Sequence, residues 1–310
     1  MAKDRKKPAT PALRFDFDKA VKQVRHDHPQ LKKGALYINA SNDNWDEIAG
    51  GLADLSVDED DIDEIGKGVK EARRLKTSFC QAITLKGKEV SAVIFFPDKH
   101  PLYGPKRGPG DDTGTFDHET SHALTPGLSG ILGENTADAY AALRHLQRFA
   151  GEKEDIDYAG WKRAAVFLRT GITSHLTTFT LDRILCDAKT ADFMTLTPAE
   201  TTAIAQDYAK KHTPKEPQLK RLQSDFKALK KRPLGETFNK LAQITLKADV
   251  KSDTFYVGAR VLKGALQEGG AVLDGEKIDL KGGKWDKVRR QLDAKIDSLP
   301  AKHPLRLKSA

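Results

Sequence analysis

His118 and His122 stand four residues apart in Phe116-Asp-His-Glu-Thr-Ser-His-Ala-Leu124, with Glu119 between them. On a helix that spacing puts both imidazoles on one face, about one turn apart, within reach of a single zinc ion. Glu119 is then placed to act as general base on a metal-bound water. A tetrahedral catalytic site takes three protein ligands and leaves one position for water. Glu134, at the start of the next helix, is the candidate third ligand.

The helix after Gly133 adds a second pattern. At 100° per residue, Glu134, Asp138, Ala141, Ala142, His145 and Phe149 fall on one side and Leu143 faces away. Ionisable groups thus share a face with alanines and a phenylalanine, and buried carboxylates are costly unless paired or metal-bound. Asp138, one turn after Glu134, can accept the free N–H of a ligating histidine, and His145 on the same face is a candidate supporting residue. The plainer account is an amphipathic helix with surface histidines and first-turn acids favoured by the helix dipole.

His118-Glu119-Thr120-Ser121-His122 followed by Gly133-Glu134-Asn135-Thr136-Ala137-Asp138 resembles the gluzincin metallopeptidases, with the HExxH plus GENxAD wording of the neprilysin family. The resemblance implies His118, His122 and Glu134 as zinc ligands, Glu119 as catalytic base and Asp138 behind a ligand. It covers only this short stretch. The connector from His122 to Glu134 is much shorter than neprilysin's and closer in length to that of the aspzincins, which use Asp as third ligand.

The elements that must carry these residues follow from local pattern. A short helix is expected within Leu13–Leu31, with His26 and His28 as solvent-exposed histidines near its end, and a strand over Gly34–Asn39. Asn42–Asn44 gives turn and cap signals, and Leu55–Arg74 reads as a helix opened by the acidic run Asp58–Asp63. Cys80–Leu85 and Glu89–Phe96 form a hairpin about Lys86-Gly87-Lys88. Pro97–Gly114 is irregular, Thr113 or Thr115 caps the His118 helix, and Thr125-Pro126-Gly127 ends it. After Gly151 the chain reads as helices over Tyr158–Arg169, Ser174–Ile184, Pro198–Lys211, Glu216–Lys231, Thr237–Lys247, Thr254–Gln267 and Lys284–Ser298, with a small hairpin in Ala271–Leu280. The expected fold is α+β and zincin-like: a mixed part over residues 1–150 holding a small sheet and the metal-binding helix, then a mostly helical part over 151–310. The boundary falls near Gly151 or near Lys189.

The chain has 310 residues, 38% hydrophobic and 31% charged, as a soluble globular protein does. The charged start, residues 1–12, reads as a flexible basic lead rather than a Sec signal, and no apolar run is long enough to span a membrane. With Cys80 and Cys186 as lone, reduced cysteines, the expected location is cytoplasmic, with signal-free export as the alternative. The net charge of +8 raises an acidic partner. The basic stretch Lys210–Arg232, with Leu219, Leu222, Phe226 and Leu229 as apolar face, has no aromatic interleaving and fits a solvated lysine-rich helix better than a nucleic-acid surface.

The chemistry expected is hydrolysis of a peptide or protein substrate by a Zn2+-activated water, with Glu119 passing the proton to the leaving amine. A second donor must meet the oxyanion besides the metal, and His175, His145 and Tyr158 are the candidates. The competing readings are a basic helical protein that binds nucleic acid or a protein partner through a structural His/Glu cluster, and a metal hydrolase acting on other bonds.

Overall fold

The structure is a computed structural model and describes residues 15–40, 48, 49, 52, 57, 59–75, 77–85, 87–96, 112–230, 232–273 and 275–306. The expected basic lead, the Asn42–Asn44 cap, the hairpin residue Lys86 and the irregular segment from Pro97 to residue 111 lie outside them. The architecture is α+β, mostly helical with a small sheet. The chain divides into two compact units, 1–116 and 117–310. The division falls inside the helix that carries His118, whereas the sequence suggests a boundary near Gly151 or near Lys189.

In the first unit, α1 (Phe17–Asp27) and α2 (Leu31–Gly34) lead into β1 (Ala35–Asn39). Helix α3 (Glu59–Leu75) precedes β2 (Phe79–Leu85) and β3 (Lys88–Phe95). The strand order is β1-β3-β2, with β3 parallel to β1 and antiparallel to β2. Strand periodicity sends alternate residues of β3 to opposite faces. Val90, Ala92 and Ile94 join Ile65, Val69 and Ala72 of α3 in one core. A Cβ on Gly68 of α3 would lie 2.6 Å from the Phe79 ring, so only glycine allows this approach to β2. Phe95, on the other face, lies with ring centroids 4.9–6.0 Å from Phe15, Phe17 and Phe116, stacked on Phe17 and edge to face with Phe116. His26 is exposed as expected, but His28 is 3% exposed, because the chain turns back at once into α2.

The second unit is built of helices. Helix α4 (Thr113–Leu124) runs into it, followed by α5 (Gly130–Arg148), α6 (Glu154–Thr170), α7 (Thr178–Asp187) and α8 (Pro198–His212). Then come α9 (Glu216–Asp225), α10 (Leu234–Lys247), α11 (Asp253–Gln267), the hairpin β4 (Gly270–Leu273) and β5 (Glu276–Asp279), and α12 (Gly283–Asp297). Three local expectations change. Thr113 and Thr115 lie within α4 rather than capping it, and the Asp112 carbonyl accepts from Phe116 N instead. Helix α5 starts at Gly130, so Glu134 lies beyond its first turn, which holds no acid. The helix expected to run to Lys231 stops at Asp225 and continues as a 3-10 turn, Lys227–Leu229. The Thr197 cap with Pro198 and Glu200 forms a full capping box.

Helix α5 is the central member: Asn135 through Leu143 are all buried, so it is enclosed on every side rather than amphipathic. A larger core of Trp161, Phe167, Phe226, Phe238, Phe255 and Leu262 joins α6 to the later helices. Within that core Arg260, 3% exposed, donates to both oxygens of Asp182 at 2.9 Å and to Asp157 Oδ1 at 2.7 Å. Tyr256 O–H donates to Asp182 Oδ2 at 2.5 Å. Burial opposes the Arg260 charge, but the facing carboxylates hold its pKa above the usual value. Among the described residues no helix is long and apolar enough to cross a membrane. Removing one partner of such a network leaves a buried charge uncompensated, so Asp182→Ala should lower stability by about 3–5 kcal/mol in denaturant unfolding.

Candidate metal centre

Two helices and the turn between them build the centre. Pro126 cannot continue α4, and Thr125 closes its end, with N and Oγ1 donating to Ser121 O at 3.0 and 2.8 Å. Leu128 N then donates to Thr125 O at 2.9 Å, and Gly130, at φ 58°, opens α5. A Cβ on Gly133 would stand 2.9 Å from Leu128 O, so glycine lets the second turn of α5 lie against this connector. Glu134, the next residue, thereby comes to the histidines.

The Nε2 atoms of His118 and His122 are 3.2 Å apart, with the rings edge to face. Glu134 Oε2 lies 3.5 Å from His118 Nε2, and its Oε1 lies 3.6 Å from His122 Nε2. All three ligand-type atoms fall within 4.8 Å of one another. Two imidazoles and one carboxylate make the N/N/O donor set of a three-ligand zinc site. Donors separated by these distances can share one ion with bonds of about 2.0–2.2 Å.

Behind this group stands Asp138, with no solvent exposure. His118 Nδ1 donates to its Oδ1 at 2.7 Å. Arg163, from α6, grips it with two bonds, Nε to Oδ2 and Nη2 to Oδ1, each 2.7 Å. Thr177 Oγ1 donates to Oδ2 at 2.5 Å. Four donors thus face a carboxylate that burial alone would neutralise, and its pKa falls well below the usual value. Neither Arg163 nor Thr177 was singled out in the sequence. Arg163 stands beside Lys162 in a run with Trp161, Ala164, Ala165 and Phe167, so nothing local separates it from an ordinary helix cation; Thr177 carries no signal either.

Charge is shared unevenly across the group. Burial works against a charged His118, but Asp138 and Glu134 outweigh it and hold its pKa up at about 10. His122 goes the other way, to about 4, through burial and the neighbouring His118 charge. Burial opposes ionisation of Glu134, yet His118 and Arg163 bring it to about 2. Glu119, 7% exposed, is pushed up to about 7, chiefly by burial, with His118, Glu134, Arg163 and Asp138 as the charges it feels.

The other candidates divide. His175 sits in the turn before α7, where Arg163 Nη1 donates to its Nδ1 at 3.3 Å, and burial and Arg163 lower its pKa. Arg163 therefore links His175 to Asp138. His145 is a correction: at 1.5 Å rise per residue it lies roughly 16 Å along α5 from Glu134, too far to support a ligand there. It stands with Glu152 and Asp155 instead. Tyr158 is also placed elsewhere, edge to face on Trp161 with Lys162 over its ring.

No family model, no curated protein and no solved structure matches this chain.

If Asp138 fixes His118, Asp138→Asn should weaken zinc binding about ten- to a hundredfold while the fold persists, as zinc titration with circular dichroism would register. A metal ion also has to displace the His118 proton. With the folded pKa near 10 against 6.5 for the free side chain, stability from this proton is full below about pH 6.5 and lost as pH rises through about 10. Zinc uptake at pH 8 should accordingly release about one proton per chain, and affinity should climb with pH up to that value. Calorimetry in buffers of different ionisation enthalpy reads both.

Proposed function

We propose that the protein is a zinc-dependent metallopeptidase. The observation that carries this reading is the convergence of His118, His122 and Glu134 within 4.8 Å, with Asp138 hydrogen-bonded at 2.7 Å to the far nitrogen of His118. The likeness of these residues to the HExxH and GENxAD pair of gluzincins supports peptide bonds as the target and a zincin-like arrangement.

Bound zinc supplies Lewis acidity and makes water acidic near neutral pH. The remaining steps belong to the chain. Glu119 takes the proton from the attacking water and returns it to the leaving amine. Its burial suits both duties, since a carboxyl with a pKa near 7 holds and gives up a proton with comparable ease. His175 serves as oxyanion donor: because Arg163 donates to Nδ1, the neutral ring carries its proton on Nε2 and can present it to substrate. Asp138 and Arg163 orient the group and touch no reacting atom.

Elemental analysis should find about one zinc per chain attributable to this centre, lost on changing His118 or His122 to Ala and weakened in Glu134→Ala. Protein that takes up no zinc at this centre from a zinc-replete solution would defeat the reading. Glu119→Gln keeps the shape but not the base, so zinc should stay while peptide hydrolysis drops by at least about a hundredfold. Unchanged turnover in that variant would assign the base elsewhere.

A further inference from the structure

The described residues hold a second convergence of ligand-type side chains, which the peptidase reading does not use. His145, Glu152 and Asp155 each offer an atom within 4.8 Å of the other two. They come from the last turn of α5, the connector and the first turn of α6. Ala150 and Gly151 adopt left-handed φ values of 51° and 81°. Gly151 N donates to Leu146 O at 2.8 Å and Glu152 N to Phe149 O at 3.1 Å. This tight reversal returns the chain so that both carboxylates meet the imidazole.

Burial and spacing distinguish the cluster from acids gathered on a surface. His145 is 3% exposed and Asp155 0%, and the His145 ring is set by Phe149, with centroids 4.7 Å apart. His145 Nε2 lies 3.7 Å from Asp155 Oδ2, close to the 3.2–3.6 Å edges among His118, His122 and Glu134. Two ligands of one tetrahedral ion with bonds of about 2.0–2.2 Å stand roughly 3.3–3.6 Å apart.

We propose that His145, Glu152 and Asp155 bind a second divalent ion, of the zinc or manganese class, that fastens the turn between α5 and α6. One imidazole with two carboxylates is a donor set those ions accept, whereas calcium asks for six or more oxygens. The ion is structural, because roughly 16 Å of helix separates it from Glu134 and paired catalytic ions sit about 3.5–4 Å apart. Its effect on the first centre is indirect. Helix α5 carries Asp138 and α6 carries Arg163, so an ion clamping their junction fixes the spacing on which that ion pair depends.

The test uses the full chain carrying His118→Ala and His122→Ala, which removes the first site and separates this inference from the peptidase reading. Zinc and manganese are titrated separately by calorimetry, with elemental analysis after dialysis. About one ion per chain should still bind and raise the melting temperature. Adding Glu152→Gln, a same-size change at a half-buried position, should weaken binding at least about tenfold, and adding Asp155→Asn should abolish it. Absence of both ions at hundredfold excess over a folded chain would overturn the proposal. So would binding that Glu152→Gln leaves untouched, whether or not the Asp155→Asn variant folds.

Discussion

A fully buried carboxylate sets the terms for this structure. Asp138 has no solvent to stabilise its charge, so the protein must supply donors from several elements at once. His118 comes from α4, Arg163 from α6 and Thr177 from the turn before α7. Satisfying one side chain thus ties four segments of the second unit together. It also fixes the rotation of His118, which decides where the ring's other nitrogen points.

Most of the donors around Asp138 therefore stand on helices, with Thr177 from the turn before α7 as the exception. Helix α5 is enclosed on all sides, and its small residues Ala137, Ala139, Ala141 and Ala142 let neighbouring helices approach closely. The polar residues among them are each matched by a partner: Asn135 Oδ1 accepts from Thr180 Oγ1, and Thr136 Oγ1 donates to Leu132 O at 2.9 Å. A rigid scaffold of this kind holds ligand atoms in register without loop ordering at each binding event. The same rigidity makes the α5–α6 junction important, since a shift there moves Arg163 against Asp138.

The charges of the group answer one another. Glu134 and Asp138 are held ionised by His118 and Arg163, and the two carboxylates in turn hold the His118 pKa up, while burial and the same cations lower that of His122. His122, with its depressed pKa, stays neutral, and its Nε2 lone pair faces His118 Nε2 at 3.2 Å. A metal ion that binds here must displace the proton held by His118, so its affinity depends on pH.

Much of this was legible in the sequence because it is local. The four-residue step from His118 to His122 and the step from Glu134 to Asp138 follow from helical periodicity, and the strand pair β2–β3 follows from alternation around a glycine turn. Thr197 with Glu200 announced its own helix start. What failed was long-range or cumulative. Periodicity set His145 on the Glu134 face but says nothing of distance along the axis, and rise per residue carried it to another cluster. Helix α5 starts at Gly130, one turn before Glu134, and that extra turn lies against the connector only because Gly133 has no Cβ to meet Leu128 O. Arg163 and Thr177 reach Asp138 across 25 and 39 residues of chain. Local sequence determines which face a side chain takes, but only the packing of separate helices decides which buried charge it must answer.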